Sequence, residues 1–478
     1  MNLVIFEIGS RFLRVGFAGE SAPRHVLSYS PEQQRRVGDY RPYAMGYDSR
    51  QRRRKTGEDW AYEYELWQPD VRNQDLNLLG DRMERLIREI ETNQLMLDAR
   101  PRKVALVVSS HLPRPLLELA ISSLFSVLQC PTVTLLPSNT MSVVASGLRS
   151  ALVIDIGWSE TTVSAIFEYR EASQSSTIRA SKMLLRQYSK LTALGKTEIT
   201  VEEAEDILTR MGWCREREND TNSISDAPIT ISLSSTTVQT QLSDLADPLE
   251  VLFVVDSNSH DLDDENLPIH LLAYDVLLRL PIDIRKTCMS RIVITGGSSN
   301  IPGVKRRILQ ELENTINTRG WDLVRNYGSA KSPRKGDVLH NNASNIPLRP
   351  AQKEGKLTES ISNTEDSADY IPIHLIPQEP DIILSKIKMQ QRLNSDVNPP
   401  EGTLGLFNSL GSWTGASLTM GLRVRGVVEI ERDRFMSTGL LGGAVKKDIS
   451  VTAQRQSMGP GVRQVGTEKS HWNLGVWA

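Results

Sequence analysis

Cysteine is scarce in this chain. Only Cys130, Cys214 and Cys288 occur in 478 residues, too few and too scattered for a disulfide framework or a C-x-x-C metal knuckle. They read as reduced thiols, the expectation for an intracellular protein. The seven histidines form no H-E-x-x-H pair, and no G-x-S-x-G stretch occurs. Those absences remove the zincin hydrolases and the nucleophile-elbow hydrolases. No run of eighteen apolar residues is present, so no membrane span is expected. The opening MNLVIFEIGSRFL carries an acid and an arginine within its apolar run, and so reads as neither signal peptide nor span. A net charge of -2 gives no global attraction to nucleic acid or an anionic membrane. TGGSSNIPG lacks the spacing and the preceding unit of a dinucleotide fingerprint.

What is present is an alternation of strands and helices over a length sufficient for two domains with real cores. LVIFEI and FLRVGFAG flank GSR as a hairpin. Leu79, Met83, Leu86, Ile87 and Ile90 line one face of a helix. KVALVVSS is a buried strand, PRPLLELAISSLFSVL a helix with proline in its first turn, TVTLLPS a strand, and NTMSVVASGL a short helix ended by Gly147. A second hairpin, ALVIDIG and TTVSAIFEY, follows. TVEEAEDILTRMGW is an amphipathic helix capped by Thr200. The stretch from Arg215 to Leu249 is polar and poorly periodic. LPIHLLAYDVLLRLP is helical, and SRIVITGGSSNIPGVKRRILQELENTI reads strand, glycine pair, then a helix opened at Pro302. The fold class is α/β, with two related mixed-sheet domains.

The two hairpins are one motif written twice: VIFEIGSR and, far along the chain, VIDIGWSE. A glycine turn gathers backbone N–H dipoles at a concave point where an anion can sit. Two such turns facing each other could hold a chain of phosphates, with Glu7 and Asp155 near a Mg2+ that bridges them through water. Either copy alone is equally an ordinary hairpin turn. Arg11 and Trp158 break the pattern at the turns themselves.

Three further segments point the same way. GFAGESAPR follows the first hairpin, IDIRKTCMSRIVITGGSSNIPGV carries the glycine pair, and SWTGASL lies near the end. In this order the chain resembles the actin family over most of Met1 to Gln310 and about Pro380 to Met436. The resemblance implies the actin-like ATPase fold shared with hexokinases and Hsp70-type ATPases, in which two duplicated mixed-sheet domains flank a nucleotide cleft. It divides the chain into a first domain at 1–145 with a small outer lobe near 37–67, and a second at 146–317 with an outer lobe near 186–268. A disordered polar insertion at 318–381, a return to the first domain at 382–436, and a flexible tail at 437–478 bearing Trp472 and Trp477 complete the division.

The resemblance also implies ATP or ADP with Mg2+, and assigns residues to it. Gly9, Ser10, Arg11 and Arg14 fall on the first phosphate loop, and Asp155 and Gly157 on the second. Gly296, Gly297 and Ser298 fall on the adenosine floor, with Glu7 and Asp155 at the metal. Several positions depart from the family. Glu7 replaces an aspartate, Arg11 a glycine and Arg14 a lysine. Ile156 replaces a serine, Trp158 an aspartate and Ser159 a glycine. Ser138 and Thr162 stand where the family has a glutamine that orients water and a histidine. Groups that orient water or move protons are worth about 10² to 10⁴ in rate, so their loss implies a degenerate ATPase with no catalytic residue.

The divergence is uneven. Both outer lobes have lost family-like sequence, and SRQRRRKTG stands where actin carries the loop that enters the next subunit. Inner-lobe motifs survive. The expectation is a non-polymerising subunit that docks on a filament and ends it. Among actin-related proteins this looks like the divergent fungal-type class at the pointed end of dynactin, the cofactor of dynein in microtubule-based transport. It implies as partners the filament-forming actin-related subunit and other pointed-end subunits, without direct nucleic-acid contact, in the cytoplasm and on the cytoskeleton. Two alternatives remain open at this point. One is a nuclear actin-related scaffold of a chromatin remodelling complex, with Arg52 to Lys55 as import signal or phosphate contact. The other is an ATP-binding actin-like ATPase with weak turnover.

Overall fold

The computed structural model describes residues 3–31, 45, 61–72, 74–96, 102–191, 199–217, 228–232, 237–254, 264–321, 402–422 and 427–440. The chain divides into two compact units, Met1–Trp321 with Pro400–Ala478, and Asp322–Pro399. The second unit, the basic run SRQRRRKTG, most of the polar insertion and the tryptophans of the tail lie outside the described residues.

The first hairpin forms β1 (Val4–Ile8) and β2 (Phe12–Phe17), antiparallel, with Glu7 opposite Arg14 and Ile8 opposite Leu13. β3 (His25–Ser28) extends it on the far side of β2. Helix α1 (Leu76–Glu89) starts at Asp75, whose side chain accepts from the N–H groups of Asn77 and Leu78, two of the amides that a helix start leaves without intrahelical partners. β4 (Val104–Val108) is buried at every position, as a parallel strand covered on both faces must be. It pairs parallel with β1. Helix α2 (Arg114–Leu128) then crosses over to β5 (Thr132–Pro137), parallel to β4, and α3 (Ser138–Ala145) leads on to the second half.

The second hairpin repeats the plan with β6 (Ala151–Ile156), β7 (Thr161–Phe167) and β8 (Arg170–Thr177). After α4 (Ser181–Ser189), α5 (Val201–Met211) and a small ribbon of β9 (Pro228–Ser232) with β10 (Thr237–Gln241), helices α6 (Ile269–Leu278) and α7 (Ile282–Met289) return to the sheet. β11 (Ile292–Thr295) pairs parallel with β6. Helix α8 (Val304–Arg319) follows, and β12 (Leu406–Phe407) is parallel to β11. The chain ends its described course in α9 (Ser412–Gly421), β13 (Val428–Glu431), antiparallel to β5, and α10 (Arg432–Thr438).

The strand orders are β13-β5-β4-β1-β2-β3 and β12-β11-β6-β7-β8. Without β13 they are the same walk: a three-strand meander, then two parallel strands laid beside its first. The repeated sequence motif is therefore a repeated topology. Each sheet has its own apolar core. One holds Phe6, Leu106 and Phe125, the other Ile154, Tyr188 and Leu272. A third, smaller cluster packs Trp413 with Ile5, Val107, Met141 and Ala416. There α9 meets α3 so closely that a Cβ on Gly415 would lie 1.9 Å from the Met141 carbonyl oxygen.

Several details differ from the sequence reading. Helices α4 and α7 were not foreseen, and the polar stretch from Arg215 to Leu249 contains the β9–β10 ribbon. Pro302 does not open the last long helix. Gly303, at φ +89°, is its N-cap, and a Cβ there would lie 2.3 Å from the Cys214 carbonyl oxygen. Helix α8 runs to Arg319 and ends at Gly320, φ +67°, beyond which Trp321 stacks on Tyr274 at 5.5 Å between centroids.

Candidate functional site: the cleft between the two hairpins

A cleft of about 480 Å³ lies between the two sheets. Gly9 and Gly157 both line it, as do Ser10, Arg14, Asp155 and the Gly296–Ser298 segment. The duplicated turns thus face one crevice. Each turn is closed by its own glycine: Gly9 N–H donates to Phe12 O at 2.9 Å and Gly157 N–H to Glu160 O at 3.1 Å. Neither of these two amides is offered to a ligand. A Cβ on Gly157 would sit 2.7 Å from the Glu160 oxygen, which explains the residue in turn geometry alone.

Beside the second turn, Gly296 adopts φ +92°, and its Cβ would meet Ile156 O at 2.2 Å and Asp155 Oδ1 at 2.7 Å. Nothing lies within 4 Å of a Cβ on Gly297. Ser181 Oγ donates to Gly157 O at 2.7 Å, which uses its one proton. Ser298 is therefore the donor in the 2.6 Å contact between the two hydroxyls.

The charges are arranged differently from the expectation of a phosphate site. Arg14 donates to Glu7 Oε1 at 2.7 Å, and Ser412 Oγ donates to the same oxygen at 2.9 Å. Arg11 is 5% exposed. Its guanidinium pairs with Glu205 of α5 at 2.7 Å and donates to the Tyr29 and Tyr64 carbonyls. The rings of Phe12, Tyr64 and Trp158 surround it, each with its centroid 5.2 to 5.5 Å from the guanidinium carbon. Trp158 in turn donates its indole N–H to Glu65 Oε1 at 2.8 Å, where Lys182 also ends. Both expected phosphate cations, Arg11 and Arg14, are thus committed to carboxylates.

Two of the acids, Asp155 and Glu160, are held above the usual carboxylate range. Burial, and then the neighbouring charge of Glu7, push Asp155 up to about 6, although Arg14 pulls the other way. Burial and Asp155 push Glu160 up to about 7. Four carboxylates, Glu7, Asp155, Glu160 and Glu205, line the cleft against the two guanidiniums. Ser138 Oγ is buried with no hydrogen-bond partner, and Thr162 accepts from Asn139 at 3.4 Å. Neither has the reach or the basicity of a glutamine or histidine.

The turn and floor residues read from the sequence line one cleft, whereas Glu65, Lys182, Glu160 and Glu205 are brought there by the structure without a motif. The available signal was the pair of exceptions to the repeat, Arg11 and Trp158, whose guanidinium and ring lie 5.4 Å apart.

Two duplicated mixed sheets with facing hairpin turns define the class of actin-like nucleotide-cleft proteins. The actin family model matches residues 1–201 and 237–330, and this chain belongs to that family. It is 22% identical over 365 residues to actin-related protein 10 of Dictyostelium discoideum, an alignment covering 68% of this chain and 76% of the relative.

Members of this family typically hold a nucleotide with a divalent metal in this place. The residues here do not fit its phosphates. Unpaired phosphate oxygens need cationic or N–H donors. Of the Arg, Asp and Glu side chains that line the cleft, two are engaged arginines and four are acids, and the Gly9 and Gly157 amides are used internally. Among the described residues no group of three or more His, Cys, Asp or Glu is placed to hold a metal ion.

Proposed function

We propose that this chain is a non-catalytic, non-polymerising structural subunit that ends an actin-related filament at its pointed end, within a dynactin-type assembly serving dynein. The observation that carries this reading is the similarity to actin-related protein 10 across three quarters of that protein. It is supported by where the family signal survives. GFAGESAPR, the glycine pair after β11 and SWTGASL belong to the two sheets and their connecting helices, while the family match breaks at 202–236, inside the second outer lobe. A subunit with one family-like face can join a filament, and without the other it cannot pass the filament on. Its partners are then the filament-forming actin-related subunit and other pointed-end subunits, in the cytoplasm.

The test is native purification of the tagged full chain followed by identification of what co-elutes. Stoichiometric recovery of a filament-forming actin-related subunit, with a fluorescent fusion at microtubule ends or cortical spots, is the expected result. Recovery of chromatin-remodelling subunits with nuclear fluorescence would replace the proposal by the nuclear scaffold reading.

A further inference from the structure

We infer that the two halves of the molecule are locked across the cleft by the chain's own side chains, so that closure is built in and needs no bound nucleotide. The lock has three parts, each linking first-half residues to second-half residues.

The first part is Arg11. It stands in the turn between β1 and β2, and its Nη2 meets Glu205 of α5, 194 residues away, at 2.7 Å. The guanidinium is 6% exposed as a side chain. A buried arginine needs its carboxylate partner, because losing one member leaves an uncompensated charge. Parting the halves would leave Arg11 with the Tyr29 carbonyl and strip it of Glu205.

The second part is Glu65. Its side chain is 1% exposed and accepts from two second-half groups, Trp158 Nε1 at 2.8 Å and Lys182 Nζ at 2.5 Å. Opening the cleft would strip this buried carboxylate of both of these donors.

The third part is the strap that carries Glu65. Ala61 and Tyr64 belong to the apolar core under the second sheet, whereas Leu66 and Trp67 belong to the core under the first. The chain therefore crosses from one core to the other within residues 61–67, and Glu65 lies at the crossing. Leu66 N–H donates to Ser10 O at 2.8 Å, which pins the strap to the first turn. Arg11 fits beneath, between the rings of Tyr64 and Trp158.

These parts converge where the two copies of the duplicated turn come together. The two residues that break the repeat, Arg11 and Trp158, are the residues that touch. A bridging anion between the turns is replaced by a guanidinium stacked on an indole, each anchored to a carboxylate brought by another element.

The experiment is hydrogen–deuterium exchange of the full-length protein, read at the turn segments Glu7–Arg14 and Asp155–Thr162, with α6 as internal control. The wild type is measured as purified, after treatment with EDTA and apyrase, and with added ATP and Mg2+. Exchange at both turns is expected to be the same in all three states, with an unchanged Tm. Glu205→Gln keeps shape and removes the charge, and Trp158→Phe keeps an aromatic ring but removes the indole N–H and part of the ring's packing. Each is expected to accelerate exchange at both turns by about tenfold, a loss of 1.4 kcal/mol in local opening, with α6 unaffected. Faster exchange or a lower Tm in the stripped wild type would overturn the inference, as would variants whose turns exchange at the wild-type rate. If a variant does not fold, the wild-type series decides alone. None of these readouts depends on filament partners, so the co-purification test and this one fail separately.

Discussion

Burial and the nearby Asp155 carboxylate raise Glu160 to about 7, and Asp155 itself is held at about 6. An unfolded chain releases these protons near pH 4. The folded state binds them more tightly, so ionising them opposes folding. That penalty is complete above pH 7 and is relieved as pH falls through 7 toward 5. The protein is therefore expected to gain thermal stability between pH 8 and about 5.5. Glu160→Gln should raise stability at pH 8 by about 2 kcal/mol and flatten this part of the profile, measured by calorimetry across pH. His270 has the opposite sign. Burial lowers it to about 4, so its contribution is lost as pH drops from 6.5 toward 4, and the profile should turn over there. The same scale shows what the sequence could not reveal. Arg11 reads as a phosphate ligand by position and charge, but its partners Glu205 and Tyr64 come from other elements, and no local spacing encodes them.

Elements formed where local chemistry agreed with tertiary need. Helix α5 has a complete capping box, Thr200 accepting from the Glu203 N–H while the Glu203 side chain accepts from the Thr200 N–H. Thr200→Ala is expected to cost about 1 kcal/mol in denaturant unfolding. The glycine pair after β11 gives a sharper contrast. A Cβ on Gly296 collides with β6 and strains a positive φ, whereas one on Gly297 meets open space. Gly296→Ala should lower stability by about 3 kcal/mol or prevent folding, and Gly297→Ala should stay within about 0.5 kcal/mol, both read from denaturant midpoints. The hairpins, the parallel strands and the helices with a clear apolar face were legible for the same reason: their period is written in buried residues. The β9–β10 ribbon was not. Of its described side chains only Ile231 and Thr240 are buried, so its two-residue period hides among serines and threonines. Helix α7 was missed because just three of its positions, Arg285, Cys288 and Met289, are buried.

At the scale of the molecule, the duplication was legible and the way the copies are joined was not. Two matching turns announced a paired architecture, but a strap of seven residues lying in both cores carries no periodic signal. Separate cores make a testable pattern of additivity. Leu106→Ala and Ile154→Val sit in different clusters, and their losses, about 3 and 1 kcal/mol, are expected to sum within about 0.5 kcal/mol in the double variant. Tyr64→Ala, in the strap, removes a side chain from the same cluster as Ile154 and is expected to couple with Ile154→Val. A double-mutant cycle by denaturation measures both.

The stack of Arg11 on Trp158 has no consumable part. A small molecule wedged between two bodies can leave, be exchanged or be used up, and each event marks time. Side chains carried by the backbone keep no such clock. A protein fastened in this way ages as one piece, and how long it stays closed is set by its own unfolding.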